Sequence, residues 1–331
     1  MEVMRHAITI PEARALLRSR QDLFVGGMSD RVISRAVATG ILHRVRRGWF
    51  VPRAEWENLW SEGRHLVHIV AVFRDARGSN AVFAGLSAAV LHGLPLYGLS
   101  PTRVELLVAN PHHIHSSPDV LRREGVLPDS DTTLIEGMRV TSMERTVADV
   151  LRTTSLEAAV AIADASLRRV AVRRNTQNDD LADAWRERMT RQLHAVRGQR
   201  GVRQASWVLC FADGRAQLPG ESVSRVQFHR LGVRNLGLQV RVPAPRGGSY
   251  WLDFDLKDFN AFGEFDGERK YTDEELRSDR SIQKVILDEK YREDWIRGIT
   301  GRPLYRWGDK HIDSADTLGH RLRAFGLALP L

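Results

Sequence analysis

The sequence predicts an α/β (α+β), multidomain protein, on three observations. Residues 8–52 read as two short helices followed by an arginine-rich hairpin. Residues 65–167 alternate between helical and strand periodicity. Residues 218–326 run helix, strand, strand, strand, helix, strand. The expected division is 1–55, 56–167, 168–215 and 216–331.

Composition sets the outer bounds. The chain has 331 residues, 43% of them hydrophobic, which is enough for more than one core. A formal net charge of +8 points to a polyanionic partner, most often nucleic acid. The single cysteine, Cys210, excludes an internal disulfide and a Cys-based zinc site, and fits a reducing, cytoplasmic setting. The N-terminal stretch is charged throughout and lacks a signal-peptide core. No run approaches the roughly 18 apolar residues of a bilayer span, so no membrane partner is expected.

In residues 8–52, Thr9 suits an N-cap and Pro11 the first turn of the opening helix. "MSDRVISRAVATG" gives the next helix, capped by Ser29 or Asp30 and stopped at Gly40. "ILHRVRRGWFVP" then alternates. Leu42, Arg44 and Arg46 fall on one side, His43, Val45 and Arg47 on the other, and Gly48 breaks the run. Two helices and a basic hairpin describe a winged helix-turn-helix. Its recognition helix would offer Arg31, Ser34 and Arg35 to the major groove of double-stranded DNA. The hairpin would bring Arg44, Arg46 and Arg47 to the phosphates. The plain alternative is a small helical domain whose arginines only face water.

The middle region carries a helix near Ser87–Leu91, a strand over residues 103–109, and a strand leading into "MRVTSMERTVADVLRTT". Nothing in it reads as catalytic. His112, His113 and His115 fit a polar surface loop better than a metal cluster. His65 and His68, three apart, are expected on an exposed helix face. Residues 168–215 read as helical, with a basic, solvated face.

The C-terminal region carries the most specific pattern. In "SYWLDFDLKDF" Asp253 and Asp255 share a strand face, and in "GEFDGERKYT" Glu264 and Asp266 do the same. If the two strands pair through "KDFN", one acid from each converges. Converging carboxylates repel unless a cation joins them, and Mg²⁺ prefers oxygen ligands. Asp253, Glu264 and Asp266 are the expected metal ligands. Glu221, from the preceding helix, would complete the shell, and Lys270 would orient water or stabilise phosphate charge. The plain alternative pairs the acids with Arg269 and Lys270, or leaves them solvated.

These residues carry a resemblance. Glu221, Leu252-Asp253-Phe254, Gly263-Glu264-Phe265-Asp266-Gly267, Lys270-Tyr271, Arg292 and Tyr305-Arg306-Trp307 resemble the PD-(D/E)xK, restriction-endonuclease-like superfamily, nearest its very-short-patch-repair branch. The resemblance covers about a third of the chain. It implies an α/β/α domain with Asp253 and Glu264 as metal ligands. Asp266 departs from it, standing where many relatives have lysine. A second resemblance rests on "MSDRVISRAVATGILHRVRRGWFV", "LSAAVLHGLPL" and "VTSMERTVADVLR". These are similar to AbiEi-type antitoxins of type IV toxin–antitoxin systems over roughly residues 8–167. That likeness implies a regulator of promoter DNA with a cognate toxin as partner.

Overall fold

The computed structural model describes residues 6–76, 80–109, 116–125, 127–245, 247–267 and 282–330. The chain divides into two compact units, Met1–Thr154 with Arg191–Arg203, and Ser155–Thr190 with Gln204–Leu331. Both mix helices with sheet. No helix among the described residues is long and apolar enough to cross a membrane.

The first unit opens with α1 (Ile10–Leu16), β1 (Arg18–Ser19), α2 (Arg20–Val25), α3 (Asp30–Ala38), β2 (Leu42–Arg46) and β3 (Trp49–Pro52). Thr9 and Glu12 form a reciprocal capping box at α1. Ser19 and Asp22 form another at α2, a helix that the two-helix expectation omits. Its signal is the Ser-x-x-Asp spacing just ahead of the Gly26-Gly27 break. Ile33 and Ala36 turn α3 onto the core. The strands form an antiparallel sheet in the order β1-β3-β2.

The unit continues with α4 (Arg53–Glu57), α5 (Ser61–Asp75), β4 (Val82–Phe83), α6 (Gly85–Leu91), β5 (Val104–Val108) and β6 (Val120–Glu124). Then follow β7 (Thr132–Ile135), β8 (Met138–Thr141) and α7 (Met143–Thr153). A mixed sheet runs β6-β5-β4-β8-β7, with β5/β6 and β4/β8 parallel. His65 and His68 are buried in α5, contrary to the exposed face expected of them. The reason is that Leu66 to Val72 are buried without interruption, so α5 is covered on nearly every side. His112, His113 and His115 lie outside the described residues.

The second unit begins with α8 (Leu156–Ala171), β9 (Val172–Arg173), β10 (Thr176–Gln177) and most of α9 (Asp179–Ala195), which passes into the first unit at Arg191, and resumes within α10 (Val202–Phe211) at Gln204. The expected boundary at 167/168 is therefore displaced to 154/155. Ala158 to Asp164 are all buried, so α8 is a core helix rather than the end of a surface layer. It packs on α11 (Pro219–Arg230), where the buried Asp164 Oδ2 meets Arg225 Nη1 at 2.6 Å. Trp185 of α9 is buried too, and its Nε1 donates to Ser166 Oγ at 3.1 Å. Residues 168–215 thus hold core, not only a solvated face.

After α11 come β11 (Leu236–Pro243), β12 (Ser249–Leu256), β13 (Ala261–Asp266), α12 (Ile282–Thr300), β14 (Leu304–Gly308) and α13 (Ala315–Ala324). The sheet order is β11-β12-β13-β14, antiparallel except for the parallel β13/β14 pair. The turn between β12 and β13 is a 3-10 turn over Lys257–Phe259, closed by Asn260 at φ 47°. Phe228, Phe254 and Trp307 pack in tilted and edge-on pairs between α11 and the sheet. The Trp307 Nε1 donates to Ser224 Oγ at 2.8 Å.

Candidate functional site

Two groups of charged residues stand out, one in each unit. In the first, Ile33 and Ala36 face inward, so Arg31, Ser34 and Arg35 are left exposed on the opposite side of α3. Asp30, the acid of this helix, is paired with Arg20, whose Nε lies 2.8 Å from Oδ1. Arg44 and Arg47 are exposed on the hairpin. Among the described residues, Arg31, Arg35, Arg44 and Arg47 enter no ion pair. The arrangement presents guanidiniums that have given up no charge to neighbouring acids.

Arg46 does not belong with them. A register shift between Arg44 and Arg46 breaks the β2/β3 alternation. The bulge turns Arg46 inward, to Asp75 Oδ2 and Asp119 Oδ2, each at 3.0 Å. Trp49 Nε1 donates to the other oxygen of Asp75 at 2.7 Å. Arg46 therefore ties the hairpin to α5 and to the start of β6, where strict alternation had placed it beside Arg44 as a phosphate contact.

In the second unit, the β12/β13 ladder runs from Leu256↔Ala261 to Phe254↔Gly263 and stops. Strand β13 stays in register with β14 as far as Asp266↔Gly308. The strands β12 and β13 thus separate, and a carboxylate fills the gap: Asp253 Oδ2 accepts the N–H of Phe265 at 2.9 Å. One amide joins this acid to Glu221. Gln239 Nε2 donates to Glu221 Oε2 at 3.3 Å and to Asp253 Oδ1 at 3.4 Å. Glu221 is fully buried and also accepts the N–H of Gln217 at 2.9 Å.

Glu264 has a different environment. Its Oε1 accepts from Arg292 Nη2 at 2.5 Å, and its Oε2 lies 2.9 Å from Arg306 Nη2. Burial pushes the Glu264 carboxyl above its ordinary value, and the two guanidiniums oppose that shift. Arg306 comes from the β14 position directly opposite Glu264, and its Nη1 lies 3.8 Å from Asp266 Oδ2. Glu289 of α12 joins both arginines, with Arg292 Nη1 at 2.9 Å. Asp255 sits apart with Arg302.

Glu221 and Asp253 are therefore brought together as expected, and Glu264 lies near enough to Asp253 for that carboxylate to push its pKa up further, while Glu264 and Asp266 are also drawn toward arginine. Lys270 and Arg269 lie outside the described residues. Among the described residues, no three His, Cys, Asp or Glu side chains form a group able to hold a metal ion. The unexpected members are Gln239 and the Arg292–Arg306 clamp. Arg306 is adjacent to Glu264 only through a parallel pairing with a distant strand, which local periodicity cannot show. Comparison with known proteins finds no family model that matches this chain and no curated protein that matches it.

Proposed function

We propose that the chain binds double-stranded DNA, as a regulator whose contacts come from α3 and the β2/β3 hairpin. The observation that carries this reading is the set of exposed arginines, Arg31, Arg35, Arg44 and Arg47, with no ion pairs among the described residues. Exposed guanidiniums free of acids are what phosphate contacts require, and Arg at the start of a helix suits a guanine edge. The order α1-β1-α2-α3-β2-β3 supports a winged helix-turn-helix. The antitoxin-like part of the reading, with a cognate toxin as second partner, rests on the sequence resemblance of residues 8–167.

For the second unit we propose a nuclease-like scaffold that contributes to DNA contact rather than a Mg²⁺ centre. The order helix–strand–strand–strand–helix–strand supports the restriction-endonuclease-like reading. What supports a scaffold over a Mg²⁺ centre is that both oxygens of Glu264 are held by guanidiniums. Mg²⁺ would compete with two guanidiniums for the charge of this carboxylate.

The test is binding of duplex DNA by the unmodified chain and by Arg31→Ala/Arg35→Ala. The proposal expects binding weakened at least about tenfold in the variant, the scale of one lost base or phosphate contact. Equal affinity would overturn the assignment of α3. A parallel calorimetric titration with Mg²⁺ decides the second unit: heat of binding that Asp253→Ala abolishes would restore the nuclease reading.

A further inference from the structure

Helix α8 runs directly into the β9/β10 hairpin of the second unit. Arg173 pairs with Thr176 and Val172 with Gln177, so Arg174 and Asn175 form a two-residue loop. Both loop residues have positive φ, 48° and 67°. Loops of this kind favour Asn, Asp or Gly at the first central position. An arginine there is strained, because its Cβ crowds the following carbonyl oxygen.

The other residues that bear this conformation are explained by their type or their bonds. The non-glycine residues with positive φ are Glu136, Arg174, Asn175, Gln239 and Asn260. Asparagine tolerates the left-handed region. Glu136 Oε2 meets Arg14 Nη1 at 3.0 Å, and Gln239 joins Glu221 to Asp253. Arg174 differs. Its side chain is exposed, and it makes no hydrogen bond or ion pair among the described residues. Backbone strain that returns no contact to the fold marks a residue kept for another purpose.

What Arg174 offers is charge. Arg173 beside it is exposed as well. Its Nη1 reaches back to the carbonyls of Arg169 at 3.2 Å and Val172 at 2.9 Å, and no acid among the described residues pairs with it. Asp179 and Asp180, the nearest acids along the chain, sit in the first turn of α9, where the helix dipole favours them. Asp179 accepts from Gln177 Nε2 at 3.3 Å. Adjacent exposed guanidiniums with no acid to neutralise them suit a run of phosphates. The turn is also anchored. Asn175 Oδ1 accepts from Arg168 Nη2 at 3.3 Å and from Gln217 Nε2 at 2.8 Å, and that same amide donates to Gln239 Oε1 at 2.8 Å. The arginines are thus offered from a loop tied to the polar network around Glu221 and Asp253.

On the DNA-binding reading of the chain, we infer that the β9/β10 hairpin is a further contact for the DNA phosphate backbone, made by Arg174 with Arg173 beside it.

The experiment is equilibrium binding of a labelled DNA duplex by the full chain at several salt concentrations, with a thermal melt of each protein. It compares the wild type with Arg174→Asn, Arg174→Lys and Arg31→Ala/Arg35→Ala. Asparagine suits the loop and lacks the charge. Arg174→Asn should therefore melt no lower than the wild type, while its log–log salt slope is smaller by about 0.9. Arg174→Lys should keep the wild-type slope. An unchanged slope in Arg174→Asn would overturn the inference, and weakened binding in the α3 variant would then leave the reading of α3 standing. No wild-type binding would overturn both. A lower melting temperature for Arg174→Asn would show that the arginine serves the fold. A slope for Arg174→Lys as small as that of Arg174→Asn would show that charge is not what binds. Either result would overturn the inference.

Discussion

Arg44, Arg46 and Arg47 share one chemistry, and only a backbone bulge separates their roles. The exposed pair faces solvent while Arg46 is turned to Asp75 and Asp119. Arg44→Ala/Arg47→Ala should leave urea unfolding unchanged and weaken DNA binding. Arg46→Ala should instead lower stability by about 1 kcal/mol, because the partly buried Asp119 and the exposed Asp75 both lose their cation. Equal unfolding curves for Arg46→Ala and the wild type would contradict the bulge assignment. The arginines and the Gly48 break were legible in the sequence. The bulge was not, because alternation assumes a regular ladder. His65 shows the same limit: its spacing from His68 was visible, and its burial was not. Its consequence is pH-dependent. Above about pH 6.5 folded and unfolded chains both carry the neutral ring. Below that the unfolded ring takes a proton that the buried ring refuses until about pH 3. Stability should therefore fall as pH falls through this window, by about 1.4 kcal/mol per pH unit from this residue. His65→Gln keeps an acceptor for Ser87, whose Oγ lies 2.8 Å from His65 Nε2, and cannot titrate. It should show a shallower acid limb in urea midpoints measured across pH.

Among elements, β13 explains most of the second unit. Its position was legible in the sequence from two-residue alternation, and those of α11, β11, β12, α12 and β14 from the helix–strand order of residues 218–326. Gly263 lets β13 lie against Trp307, whose ring a Cβ would meet at 2.4 Å. Gly263→Ala should lower stability by about 1–3 kcal/mol through overpacking, read as a shifted denaturation midpoint. An unchanged midpoint would mean that the α11-to-sheet packing is looser than described. The clamp on Glu264 was not legible, since Arg306 arrives from a strand about forty residues onward in the chain. Removing it leaves a buried carboxylate with one guanidinium fewer. Arg306→Ala should cost about 3–5 kcal/mol, and Glu264→Gln added to it should recover part of the loss. Full stability in Arg306→Ala would show that Glu264 does not need this arginine.

At the scale of the whole molecule, the chain splits into two mixed α/β units, where its helix and strand patterning suggested four segments. The difference comes from α8 and α9, whose small apolar residues and Trp185 pack into a core, although arginines dominate their neighbourhood. A one-dimensional reading weighs exposed charge and buried alanine alike, so such helices look like linkers. The net charge of +8 is likewise a property of the whole chain. What matters for function is that Arg31, Arg35, Arg44 and Arg47 stay out of ion pairs among the described residues, whereas Arg46, Arg292 and Arg306 are neutralised. The most direct measurement is fluorescence anisotropy of a labelled DNA duplex over a salt series. It compares the wild type with Arg31→Ala/Arg35→Ala/Arg44→Ala/Arg47→Ala. The account predicts wild-type binding that weakens steeply with salt, and a variant whose log–log slope is smaller by about 0.9 for each phosphate contact removed. No wild-type binding, or the same slope in both chains, would contradict it.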